Sequence, residues 1–152
     1  MIYISHRGNI NGRIPEAENQ PEYINDALRM GYEVEVDVWY IDGEWWLGHD
    51  GPQYPIYLDW LDERSDRLWI HCKNIKAVEY FFENENDCKE LNWFWHENDA
   101  CTLTSYGYVW AYPGKQPIKK SIAVMPENNN DDISYCLGIC SDYIEKYKNE
   151  SK

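Results

Sequence analysis

Near the amino terminus stands His6-Arg7-Gly8, the next apolar run carries Glu35-Val36-Asp37, and His49-Asp50 follows shortly after. This order places two imidazoles, a guanidinium and two carboxylates at the ends of short apolar stretches, where side chains converge. Hydrolysis of a phosphate diester needs such a set: groups that transfer protons, a fixed cation for the phosphate, and acidic ligands for a divalent metal. Imidazole titrates near neutrality, which suits proton transfer, and a guanidinium supplies a fixed cation. Glu35 and Asp37, two positions apart on a strand, point the same way and suit one ion between them.

The elements that must position these groups alternate between strand and helix. Ile2 to Ser5 and Val34 to Tyr40 read as strands, and Pro21 to Met30 carries Tyr23, Ile24, Ala27 and Leu28 at helical spacing, closed by Gly31. Asp42-Gly43 separates the second run from Trp45-Trp46-Leu47, which predicts a hairpin that brings His49 beside Glu35 and Asp37. Further on, Leu58 to Leu61 reads as a short helix, Leu68 to Cys72 as a strand and Ile75 to Phe82 as a helix. Asn92 to His96, Tyr108 to Tyr112, Ser121 to Met125 and Leu137 to Cys140 read as strands; Thr102 to Gly107 and Asn128 to Asp132 read as loops. The fold class is α/β, with about seven or eight strands. Their natural container is a compact TIM-type (β/α) barrel, with outer helices shortened or missing because such barrels usually run to ~250 residues.

At 152 residues the chain is expected to form one domain, residues 1–152. A hydrophobic fraction of 43% with 8 Trp and 13 Tyr argues for a folded core despite a net charge of −13. That charge disfavours nucleic acid and anionic membrane surfaces as partners, so a phosphate substrate must be received locally by a cation. Met1 to Ile4 runs straight into polar residues, with no leader pattern and no membrane span, so a cytoplasmic protein is expected. Five scattered cysteines without a CxxC pair fit reduced thiols, and Cys136 and Cys140 fit core packing better than a metal.

The series His6-Arg7-Gly8, Glu18-Asn19, Glu35-x-Asp37-Val38, Asp42-Gly43 and His49-Asp50 resembles the glycerophosphodiester phosphodiesterase family, within the phospholipase C-like phosphodiesterase superfamily. The segment from Glu18 to Met30 is similar to the helix after the family's Pro-Glu-Asn motif. His71-Cys72-Lys73 looks like its Glu-x-Lys strand, and Gly138 to Asp142 resembles its last strand. The resemblance implies a TIM-type barrel with its site at the carboxyl ends of the strands. It implies His6 and His49 as acid and base, Arg7 on the phosphate, and Glu35 and Asp37 on a divalent metal, Mg or Ca. A small phosphodiester would be the substrate, with Lys73 and Trp110 as further candidate contacts.

Three features depart from the family pattern. His71 stands where the family supplies a third metal-binding carboxylate, and a His, Glu, Asp set suits Mn, Zn or Fe better than Ca. Pro15-Glu16 and Glu18-Asn19 divide the usual motif, with Glu18 favoured over Glu16 to orient Arg7. The span from Asp50 to Leu68 is too short for an inserted capping domain, so the site is expected to be open, or covered by loops near Trp110 and Tyr112. Each residue also has a plainer structural role. His6 could be a hydrogen bonder after a strand, Glu35 and Asp37 the solvated face of one, and His49 a turn residue. His71 and Lys73 could both face solvent, His96 could line a pocket, and the Trp-rich runs suit packing. The acidic run Glu83 to Asp87 and the tail Glu145 to Lys152 read as solvated faces or frayed ends. Two alternatives stand beside hydrolysis: a catalytically silent phosphate-binding module on the same barrel, and a related phosphodiester lyase.

Overall fold

The computed structural model describes residues 1–150. Strand β1 (Ile2–His6) leads through α1 (Pro21–Arg29) into β2 (Glu33–Ile41), as the periodicities require. The Asp42-Gly43 turn then reverses the chain into β3 (Glu44–Leu47), followed by β4 (Tyr54–Ile56) and α2 (Leu58–Asp62). Next come β5 (Leu68–Cys72) and α3 (Ile75–Glu83), whose first turn is capped by Asn74 accepting from the Ala77 N–H. The remainder is strand-rich: β6 (Trp93–Phe94), β7 (Cys101–Leu103), β8 (Val109–Ala111), β9 (Ser121–Val124), a 3-10 turn over Pro126–Asn128, β10 (Gly138–Ser141) and α4 (Ile144–Glu150).

The strands form one mixed sheet that curls into a half-barrel. Its parallel part runs β6-β5-β2-β1-β10-β9-β8. The antiparallel hairpin β3-β4 hangs on β2, and β7 pairs antiparallel with β8. Among the described residues no ladder joins β6 to β7 or β8. Ser105 spans that seam instead: its N–H donates to the Trp93 carbonyl at 2.7 Å and its hydroxyl to the Leu91 carbonyl at 3.1 Å.

Alternation on the strands separates two cores. Val34, Val36 and Val38 face outward with Leu68 and Ile70, under Ile24, Ala27 and Leu28 of α1 and Ala77 and Phe81 of α3. The concave side is filled by Ile4, Trp69, Phe94, Trp110, Ile122 and Cys140, an apolar layer that floors the polar groups above it. Helices α1, α3 and α4 pack on β1, β2, β5 and β10. The outer helices are therefore few, and they gather on one side of the sheet.

Several local expectations are corrected. Cys101–Leu103 is a strand that overlaps the start of the Thr102 to Gly107 stretch read as a loop, and Tyr54–Ile56 adds an edge strand that carries Pro55. Both are short and largely exposed, so neither carries apolar alternation. Asn92 to His96 shrinks to a ladder over Trp93–Phe94. Of the tail read as a solvated face or frayed end, residues 145–150 form the solvated part of α4, anchored by buried Ile144, and residues 151 and 152 lie outside the described residues. All five cysteines are free, with Cys140 in the inner core. Among the described residues no helix is long and apolar enough to cross a membrane.

Candidate active site

Strand register sets the site. His6 pairs with Glu35 across β1 and β2, and Asp37 pairs with His71 across β2 and β5, so the inner positions of three adjacent strands end at one level. The chain leaves β1 through Arg7, a non-glycine residue in left-handed conformation (φ 55°), and returns at Asn19 (φ 62°). Such conformations cost ~1–3 kcal/mol and persist where the surroundings enforce them. Here the Arg7 N–H donates to the Glu35 carbonyl at 3.0 Å and the Asn19 N–H to the Arg7 carbonyl at 3.1 Å. Gly8 (φ 94°) must follow, since a Cβ there would lie 2.5 Å from the Tyr23 ring.

Asp37 is the hub. It is wholly buried, its backbone N–H and Oδ2 are both taken by the Asn19 amide (3.0 and 2.9 Å), and Arg7 Nε lies 2.8 Å from Oδ2 in an ion pair without hydrogen-bond alignment. His49 Nδ1 stands 3.3 Å from the same oxygen, while His71 Nδ1 and Lys73 Nζ stand 3.1 and 3.6 Å from Oδ1. Burial alone would raise the Asp37 carboxyl, but the hydrogen bonds from His49 and His71 and the charge of Arg7 hold it well below the usual carboxylate range. Glu35 behaves oppositely: burial, then the charge of Asp37, push its carboxyl up, and its buried Oε2 has no hydrogen-bond partner.

The two histidines are fixed differently. His6 Nδ1 is 2.8 Å from Asp142 Oδ1, which leaves Nε2 facing Glu35 Oε2 at 3.9 Å. Burial would lower the His6 imidazole, but the Asp142 hydrogen bond and the charge of Glu35 outweigh it, so its pKa is raised. His49 lies beyond β3 as the hairpin predicts, with Nε2 at 3.4 Å from Arg7 Nη2. Arg7 Nη1 donates to Glu18 Oε2 at 3.3 Å, which makes Glu18 the orienting glutamate. Glu18 also accepts from Arg13 Nε (2.8 Å) and Asn9 Nδ2 (3.0 Å), and the Asn9 amide donates to Asp142 at 2.9 Å.

These groups face one cavity of about 480 Å³, lined by His6, Arg7, Glu35, His49, His71 and Lys73 on one side and by Trp95, His96, Glu97, Tyr112 and Met125 on the other. Trp110 forms part of its floor, packed against Trp69 and Phe94. The Tyr112 hydroxyl donates to the Glu97 carbonyl, which ties the rim together. His96 lines the cavity too; burial, then His71, lower its imidazole to about 4, so it is neutral at pH 7. The structure thus brings together every site residue expected from the sequence.

Sequence reasoning gave no role to Asp142, Asn9 or Arg13. Asp142 ends the last strand-like segment and Asn9 directly follows His6-Arg7-Gly8, yet their partners become visible only once chain ends 136 positions apart meet. Ligand atoms from Glu35, Asp37 and His71 lie within 4.8 Å of one another, close enough to hold one ion in principle, and Glu35 Oε2 has no hydrogen-bond partner. The chain matches no family model, no curated protein and no solved structure.

Proposed function

We propose that the chain is a metal-assisted hydrolase of small phosphate diesters of the glycerophosphodiester type, with the curled sheet serving as a reduced TIM-type barrel. The observation that carries this reading is the pair His6 and His49 on one cavity, each pinned through Nδ1 by a buried carboxylate, with Arg7 between them. Phosphate recognition alone needs cations, not two oriented imidazoles.

His6, whose pKa is raised, is the acid: its Nε2 gives a proton to the departing alkoxide as the P–O bond breaks. His49 is the base. With Nδ1–H held toward Asp37, its Nε2 takes the proton of the water whose oxygen bonds to phosphorus once the Arg7 N–H that faces Nε2 has turned to a phosphate oxygen. Arg7 keeps N–H groups on Nη1 and Nη2 for phosphate oxygens after meeting Glu18 and His49, and Lys73 adds a second cation. Glu35, Asp37 and His71 would hold the divalent ion, which supplies positive charge against the phosphate oxygens. The free thiols suit a reducing compartment such as the cytoplasm.

The test is a panel of glycerophosphodiesters, with and without divalent metal, read by 31P NMR. Release of alcohol and glycerol phosphate is expected, and His6→Ala or His49→Ala should each lower turnover by ~100-fold or more. A cyclic phosphate as end product would make the chain a lyase. Binding without turnover across the panel would make it a silent module.

A further inference from the structure

His71 departs from an all-oxygen metal set, and its surroundings fix how it does so. The imidazole of His71 lies with Nε2 at 3.3 Å from the His96 carbonyl oxygen and Nδ1 at 3.1 Å from Asp37 Oδ1 and 3.8 Å from Glu35 Oε1. A carbonyl oxygen only accepts, so Nε2 carries a proton. Nδ1 then faces two carboxylate oxygens, a place that a positive group satisfies: a proton on Nδ1, as in the hydrogen bond to Asp37, or a metal ion in that proton's place. Ligating histidines are held in this way, one nitrogen on the metal and the other N–H on a carbonyl or carboxylate. The ring is also held in plane: it stacks on Phe94 at 5.1 Å and 7° and on His96 at 4.8 Å and 29°.

We propose that His71 ligates a divalent ion through Nδ1, and that this nitrogen, fixed by the His96 carbonyl, makes the site selective for a first-row transition ion such as Zn(II), Co(II) or Mn(II) over Mg(II) or Ca(II). The proposal rests on the reading of Glu35 and Asp37 as metal ligands. Glu35 adds the second observation, a carboxylate only 2% exposed whose Oε2 has no hydrogen-bond partner. Imidazole favours the transition series, whereas Ca(II) seeks six to eight oxygens and Mg(II) a strict octahedron of them. Three protein ligands beneath an open cavity also match a catalytic zinc-type site, which leaves a position for water or substrate.

Calorimetric titration of the metal-stripped protein with Zn(II), Co(II), Mg(II) and Ca(II), without substrate, tests this. Wild type should bind Zn(II) and Co(II) more tightly than Mg(II), and His71→Ala should lose ~10 to 100-fold of that affinity while Mg(II) binding changes little. His71→Glu should narrow the Zn-to-Mg ratio by ~10-fold or more, by restoring a third oxygen. Long-range 1H–15N NMR of the Zn(II)-loaded wild type should show Nδ1 metallated and Nε2 protonated, a readout that needs no variant to fold. Equal metal ratios in wild type and His71→Glu, or an imidazole untouched by Zn(II), would overturn the proposal. If hydrolysis then proceeded with Mg(II), the hydrolase reading would survive that loss. Transition-ion selectivity lost in His71→Ala, in a chain that cleaves no diester, would sustain this proposal and sink the hydrolase reading.

Discussion

Glu35 and Asp37 sit two positions apart on one strand face, both buried, yet the protein treats their charges oppositely. Asp37 is surrounded by Arg7, Lys73 and two imidazoles, so its ionised form is favoured. Glu35 is left with a raised pKa and an idle oxygen. The signs differ accordingly. Asp37→Asn leaves Arg7 with Glu18 as its one carboxylate and Lys73 without its buried partner, and should cost ~1–3 kcal/mol of unfolding free energy. Glu35→Gln removes a charge the metal-free fold disfavours above pH 4.5, and should stabilise that form by ~0.5–2 kcal/mol in denaturant titrations while weakening metal binding. A destabilised Glu35→Gln protein would show that the carboxylate is needed for the fold rather than for an ion. The His6 and Asp142 pair gives a pH window. Asp142 is lowered: burial opposes ionisation, but the His6 hydrogen bond wins. Its contribution is complete above its ordinary value of 3.8 and is lost as pH falls through the depressed one. His6 is raised, so its contribution is complete below 6.5 and is lost as pH rises through the elevated value. The stability difference between wild type and Asp142→Asn should therefore be widest between those limits and shrink on either side. In the variant the His6 ring, followed by NMR, should titrate at lower pH than in wild type.

Among the elements, the β2-β3 hairpin has the most exacting task, because it alone carries His49. Gly48 adopts φ 150°, and a Cβ there would lie 2.1 Å from the Gly51 carbonyl oxygen, a backbone atom that cannot swing aside. Gly48→Ala should thus shift His49 away from Asp37 and Arg7 at a cost of ~1–3 kcal/mol. Turnover should fall toward that of His49→Ala while circular dichroism stays native; near wild-type turnover would mean that His49 does not act from this position. Asp42-Gly43 between apolar runs made this hairpin legible in the sequence, as helical spacing and Gly31 did for α1. Strands β1 and β5 were legible as short apolar runs, and β2 through the alternation of Val34, Val36 and Val38 with Glu35 and Asp37. Strands β4 and β7 were missed, and β6 was read too long. They span two or three residues, Cys101 and Leu103 are exposed, and a pattern of period two needs more length to be seen. The site divides along the same line. His6, Arg7, Glu35, Asp37 and His49 lie within a local strand, helix, strand and hairpin unit, whereas Asp142 comes from the far end of the chain and only folding brings it to His6.

At the scale of the molecule, a net charge of −13 opposes the anion proposed as substrate. The local charges do little to offset this in metal-free protein. Arg7 and Lys73 are matched by Asp37, Arg7 and Arg13 share Glu18, and exposed Asp50 stands 3.7 Å from His49 at the mouth. A phosphodiester approaching from beyond ~10 Å therefore meets the whole negative field before it reaches any single cation. Salt should help its entry, because the Debye length shrinks from ~30 Å at 0.01 M to ~8 Å at 0.15 M and screens the distant repulsion first. Contacts inside the cavity are short and partly desolvated, so they should be screened far less. The expected result is a rise in kcat/KM of ~2 to 5-fold over that salt range with kcat unchanged, measured at saturating metal so that ion binding does not vary with it. A fall in kcat/KM over the same range would mean that Arg7, Lys73 and the bound ion dominate the field at the mouth, and that the acidic surface plays no part in selecting what enters.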